Sequence, residues 1–289
     1  MKLLFKDTRP GGQLLGLLLI FVAFFIIGTG VSAIPMLFGG NPTSLVSQAL
    51  SQIVVFGGAA VFFCVMFQEN TSVYLRLAMP KRAARTFTGV LLVLLTILPL
   101  SDWLTTLNDS WHFPKSFAAL EQLFRELSAA SEELLESFLL RDGVGSLMAN
   151  MLVLALVPAI CEELFFRGAF QQTLMACFRG KHHVAIWLTA AIFSLMHGDL
   201  FAFLPRFLLG LLLGYLYYYG QSLWVNVFAH FLNNTIVVIL YFLAARGVVD
   251  VDMAESMDFP FVVVLVTAIV CMVLFWLFFV ADEKKIKKK

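Results

Sequence analysis

Apolar residues run through this chain in long blocks separated by short polar connections. A membrane-spanning helix needs about 20 mostly apolar residues. Such stretches lie near 13–38, 45–67, 87–107, 146–178, 184–199, 201–220, 222–245 and 259–281. Nothing alternates with the rhythm of a transmembrane β-strand. The pattern predicts an all-α fold: a polytopic helical membrane protein of about eight transmembrane helices. One connection is long. Residues 115–140, KSFAALEQLFRELSAASEELLESFLL, space Phe117, Leu120, Phe124, Leu127, Leu134 and Phe138 at helical intervals with charges between them. That periodicity predicts an amphipathic helix, lying on the outer membrane face, capping the bundle or packed on a partner.

Composition agrees with the pattern. The chain is 60% hydrophobic and 13% charged, where a soluble domain carries roughly a quarter charged residues. A net charge of +1 gives no footprint for nucleic acid. Cys64, Cys161, Cys177 and Cys271 fall in apolar stretches without metal-type spacing and read as small buried hydrophobes. The basic lead MKLLFKDTRP precedes an apolar run too long for a signal-peptide core, which predicts an uncleaved first span.

Loop charge predicts the orientation. Lys2, Lys6 and Arg9, then Arg76, Lys81, Arg82 and Arg85, then Arg179 and Lys181, then the KKIKKK tail alternate with neutral or acidic connections. The acidic one carries Asp250, Asp252, Glu255 and Asp258. Eight spans with both termini in the cytoplasm satisfy the positive-inside rule. Short loops and a basic tail fit a multi-pass protein of a bacterial plasma membrane, with the lipid bilayer as its first partner.

The stretch VPAICEELFFRGAFQQTL puts Glu162, Glu163 and Arg167 inside a span. Each charge there costs on the order of 2.5–3.5 kcal/mol on insertion scales, so three together need a reason. Glu163 and Arg167 are four apart and share a helix face in the favourable order. Glu162 points about 100° away and needs a partner on another helix. His197 and His230 lie in later spans, with Asn234 one turn beyond His230 and Asn226 one turn before it. Pro158 leaves the carbonyl of Leu154 without its helical donor. Gly210 and Gly214, four apart, allow a neighbouring helix to approach closely.

A carboxylate, two imidazoles and an amide in a shielded cavity are a kit for hydrolysing an amide with water. The carboxylate removes a proton, a histidine holds the water, and His230 with Asn234 can face the oxyanion. The H-E-x-x-H zinc signature, a G-x-S-x-G elbow and an intramembrane aspartate pair are absent from the sequence. Glu162, His197 and His230 could equally hold a divalent metal such as zinc, with water in the open position. Sequence leaves both cofactor readings, metal or none, open.

At these residues the chain resembles the CPBP family of intramembrane proteases, which includes the type II CAAX prenyl proteases and bacteriocin-processing and immunity proteins. EELFFR resembles its E-E-x-x-x-R motif and FSLMH (Phe193, His197) its F-x-x-x-H motif. GYLYYYGQSLWVNVFAHFLNN resembles its third region, ending in His230 and Asn234. The resemblance implies an intramembrane catalytic cavity open to the cytoplasm. Glu162 and His197 would activate water, His230 and Asn234 would stabilise the oxyanion, and Glu163 and Arg167 would support them. It covers about residues 145–245, giving a protease core between N-terminal helices and amphipathic connection (1–144) and a last helix with its tail (246–289). Its substrate would be a membrane-associated peptide or protein tail. Two other classes are a non-catalytic scaffold or immunity protein and a proton-coupled transporter; the latter lacks an inverted repeat to support it.

Overall fold

The computed structural model describes residues 5, 7–39, 41, 44–251, 257 and 259–281. Lys2, Lys6, Asp252, Glu255, Asp258 and the KKIKKK tail, which contribute to the predicted orientation, lie outside the described residues. Among the described residues the regular structure is helical throughout. Without water in the bilayer core, a segment must satisfy its own backbone groups, and a helix does so.

Helices α1 (Pro10–Ser32), α2 (Leu45–Phe67), α3 (Ala83–Asp109), α5 (Val144–Cys177), α8 (Leu223–Ala245) and α9 (Phe261–Val280) stand where spans are expected. Each of these stretches is long and apolar enough to cross a membrane, α1 with its short 3-10 extension to Phe38. The fifth and sixth expected spans are α6 (His182–Leu195) and α7 (Phe203–Gly220). They form a shorter hairpin: α6 has 14 residues, and α7 starts beside Arg206 and ends in a tyrosine-rich turn. The 115–140 segment forms α4 (Ala118–Leu139), as its periodicity predicts.

The outside of this bundle is apolar. Leu19, Ile26, Val262 and Met272 are among the large hydrophobic side chains left exposed, while Arg167 is fully buried. That inversion suits a hydrocarbon solvent. One core cluster joins α1, α2 and α5 through Leu17, Phe63, Phe165 and Phe166, and reaches Phe193 of α6. A second joins α3, α7, α8 and α9 through Val93, Leu213, Ala229 and Cys271. The polar residues of interest lie between the two clusters. All four cysteines are free; three are buried and Cys177 is half-buried.

The paired glycines of α7 make the close approach that their spacing predicts. A Cβ on Gly210 would stand 3.0 Å from both Cα and Cβ of Ala190, and one on Gly214 would meet Ile186 at 2.6 Å. Their buried carbonyls are used: Gly210 accepts from Arg167 Nη2 at 3.2 Å and Gly214 from Gln171 Nε2 at 3.1 Å. Gly210→Leu is therefore expected to force α6 from α7 and to lower the melting temperature in detergent, an overpacking cost of about 1–3 kcal/mol or more. Gly30→Leu, where nothing lies within 4 Å, is the control and is expected to melt like wild type.

Helix α4 is tied down at both ends, and its apolar residues Leu120, Leu123 and Leu127 are exposed. At the far end Phe138 and Leu139 are buried, and the Phe138 carbonyl accepts from Asn150 Nδ2 at 2.8 Å. At the near end Arg125 lies 3.9 Å over the Phe201 ring and donates to Glu121, Asp109 and the Trp111 carbonyl. The Phe113 amide, the His112 ring and Arg125 all engage Glu121, and they hold its carboxyl down at about 2, the Phe113 amide contributing most. A depressed carboxyl stabilises the fold fully above its unfolded value and loses that contribution as pH falls through the folded one. Exchange at the Phe113 amide, taken relative to its intrinsic rate at each pH, is accordingly expected to stay slow at pH 5 and to accelerate as pH falls towards 2. Glu121→Gln should accelerate it already at neutral pH. Exchange that is insensitive to both would contradict this anchor.

Candidate active site

Helix α5 carries the two glutamates on a regular α-helical stretch, Val157–Glu163, between two π-helical turns, Met151–Leu156 and Leu164–Gln171. Such turns widen a helix locally and recur at functional sites. Pro158 withdraws its N–H from the ladder. The freed Leu154 carbonyl accepts instead from Asn234 Nδ2 of α8, at 3.4 Å. A vacancy legible in one span thus meets an amide from another.

Glu163 and Arg167 pair as their spacing requires, with Arg167 Nη1 at 2.9 Å from Glu163 Oε1 and both side chains fully buried. The same Oε1 lies 2.9 Å from His230 Nδ1. A carboxylate already paired with guanidinium can only accept, so Nδ1 carries the proton and the other ring nitrogen faces the site. His230 Nε2 lies 4.0 Å from Glu162 Oε2. The sequence pairs His230 with Glu162; its hydrogen bond goes to Glu163, because the adjacent carboxylate is already fixed by Arg167.

Glu162 is 5% exposed and is held by a residue that the sequence reading does not single out. Gln52 of α2 donates from Nε2 to Glu162 Oε1 at 3.1 Å. Among the described residues, Glu162 Oε2, Gln52 Oε1 and Glu163 Oε2 are buried without a hydrogen-bond partner. Gln171 is the second polar residue missed, although it lies four residues beyond Arg167 on the same face.

His197 sits in the turn just past α6, not within a span that continues to 199. Its Nδ1 lies 2.8 Å from the Phe193 carbonyl, which leaves Nε2 unengaged by that bond. Phe193 connects the set: its ring is 4.9 Å from His197, 5.9 Å from His230 and 4.7 Å from the Arg167 guanidinium carbon. Asn226 faces away, donating to the Leu213 carbonyl and tying α8 to α7. Asn234 faces Leu154, with its Oδ1 3.3 Å from Asn233 Nδ2. The structure thus gathers Glu162, Glu163, Arg167 and His230 by direct contact and approach, and His197 through Phe193.

Among the described residues no three His, Cys, Asp or Glu side chains converge closely enough to hold a metal ion. His230 and His197 each spend one ring nitrogen on Glu163 and on Phe193.

Residues 144–236 match the family described as Rce1-like, type II CAAX prenyl endopeptidase. The Bacillus subtilis (strain 168) protein YdiL, whose name provisionally assigns it as a membrane peptidase, is 28% identical over 113 residues. That stretch is 38% of this chain and spans 44% of YdiL. No solved structure matches the chain. The two matches support a CPBP-family protein, in agreement with the resemblance carried by the three motifs.

Proposed function

We propose that this protein is an intramembrane endopeptidase that hydrolyses peptide bonds in membrane-associated peptides or protein tails. The observation that carries the proposal is a buried carboxylate oxygen without a hydrogen-bond partner among the described residues, Glu162 Oε2, set 4.0 Å from His230 Nε2 within the segment matched by the endopeptidase family. Glu162 takes a proton from water as the water oxygen bonds to the scissile carbonyl carbon. His197 Nε2 accepts the second water hydrogen and orients the attack. His230 in its imidazolium form, which together with Arg167 balances the two carboxylates Glu162 and Glu163, donates Nε2–H to the oxyanion. Asn234 exchanges its long bond to Leu154 for a bond to the same oxygen. Glu162 then passes its proton to the departing nitrogen, the C–N bond breaks, the new acid's proton moves to the amine, and a carboxylate and an ammonium leave. Glu163 and Arg167 act through His230 and are positioning residues.

The protein would work in a bacterial plasma membrane with both termini in the cytoplasm. In support, Arg76, Lys81, Arg82, Arg179 and Lys181 fall in connections, and Arg85 in the first turn of α3, all at one end of the antiparallel bundle.

The test is purified wild-type protein in detergent incubated with a pooled library of membrane peptides, with and without a chelator. New peptide termini that survive chelation are expected. Cleavage lost on chelation and restored by a divalent metal would overturn the metal-free mechanism and make Glu162 and the histidines ligands. A complete absence of cleavage across native membrane-protein tails would favour the scaffold reading.

A further inference from the structure

We infer that Gln52, in the N-terminal half and outside the matched segment, is a positioning residue for Glu162. The inference rests on the hydrolase reading given above. Gln52 is the last residue of the first α-helical stretch of α2, Leu45–Gln52, and a π-helical turn, Ile53–Gly58, follows at once. That turn brings α2 close to the carboxylate-bearing helix. A Cβ on Gly57 would lie 3.2 Å from Cys161 Sγ, beside Glu162. An amide placed in a span is costly unless it is paired. This one donates its Nε2–H to Glu162 Oε1 at 3.1 Å.

The geometry separates the two oxygens of Glu162. Oε1 is occupied by Gln52, and Oε2 is buried, without a hydrogen-bond partner among the described residues, and 4.0 Å from His230 Nε2. Rotation of the carboxylate about its last torsion would exchange these oxygens, and that torsion is intrinsically broad. The Gln52 bond removes the freedom and presents one oxygen to the water. Gln52 Oε1 is itself buried without a partner among the described residues. A water hydrogen-bonded to it would stand next to Glu162. Gln52 is thus a contribution of the N-terminal hairpin to a site otherwise built from 144–236.

Three variants test this. Gln52→Leu has similar size and no donor; Gln52→Asn keeps the amide one methylene short. A hydrogen bond to a charged group is worth enough for kcat to fall roughly 10- to 100-fold in both, with KM within about twofold. In the Glu162→Gln background, Gln52→Leu should cause no further loss. A readout independent of turnover is the infrared carboxylate stretch, assigned to Glu162 by its absence in Glu162→Gln. It should move in Gln52→Leu and Gln52→Asn. An unchanged kcat and an unmoved band in a folded Gln52→Asn protein overturn the inference while leaving the hydrolase reading intact. A band that moves in the Gln52 variants while the wild-type protein cleaves nothing overturns the hydrolase reading and reduces Gln52 to a helix-packing contact.

Discussion

Arg167→Ala is expected to remove most of the folded protein from the membrane fraction. The guanidinium is fully buried, pairs with Glu163, donates to the Gly210 carbonyl and stacks on Phe193. Deleting it leaves the Glu163 charge buried with His230 as its remaining hydrogen-bond partner among the described residues, and also opens a cavity where a large side chain had been. Breaking a buried pair from one side costs about 3–5 kcal/mol. That is a large share of a total stability of roughly 5–15 kcal/mol. Yield and monodispersity in size-exclusion chromatography are the readout. Arg167→Lys keeps the charge but cannot span Glu163 and Gly210 together, and should fall between. Wild-type yield and melting for Arg167→Ala would show that the pair contributes little.

Glu162→Gln is expected to do the opposite: the protein folds normally and stops turning over. The change is nearly isosteric, and the carbonyl oxygen of the new amide can still accept from Gln52. What disappears is the ability to take a proton from water. General-base contributions are of the order of 10²–10⁴-fold, and the expected loss lies in or above that range. Because folding and chemistry separate in these two variants, comparing them distinguishes a residue that holds the site from one that performs the reaction.

The difference between the two residues was half legible in the sequence. The four-residue spacing of Glu163 and Arg167 predicted their pairing, and the structure places them 2.9 Å apart. Pro158 predicted an orphaned carbonyl at Leu154, and Asn234 reaches it. Gly210 and Gly214 predicted close packing and gave it. The apolar blocks predicted the helices to within a few residues, except that α6 ends before His197, where Gly198 adopts a positive φ of 74° and the chain turns. Other contacts depended on facts that a linear pattern does not contain. Gln52 lies 110 residues from Glu162, in an N-terminal span that looks generic by composition. Nothing local tells a buried amide that meets a carboxylate from one that meets a backbone carbonyl, as Gln171 does. The choice of His230 between two adjacent glutamates turns on about 100° of helix rotation, and the flanking π-helical turns change that rotation.

The most direct test of the hydrolytic centre compares wild-type and Glu162→Gln proteins, matched for melting temperature, on one peptide pool read by mass spectrometry. New termini from the wild type and none above background from Glu162→Gln are the predicted result. The same termini appearing at the same rate from both proteins would contradict it and place the chemistry elsewhere.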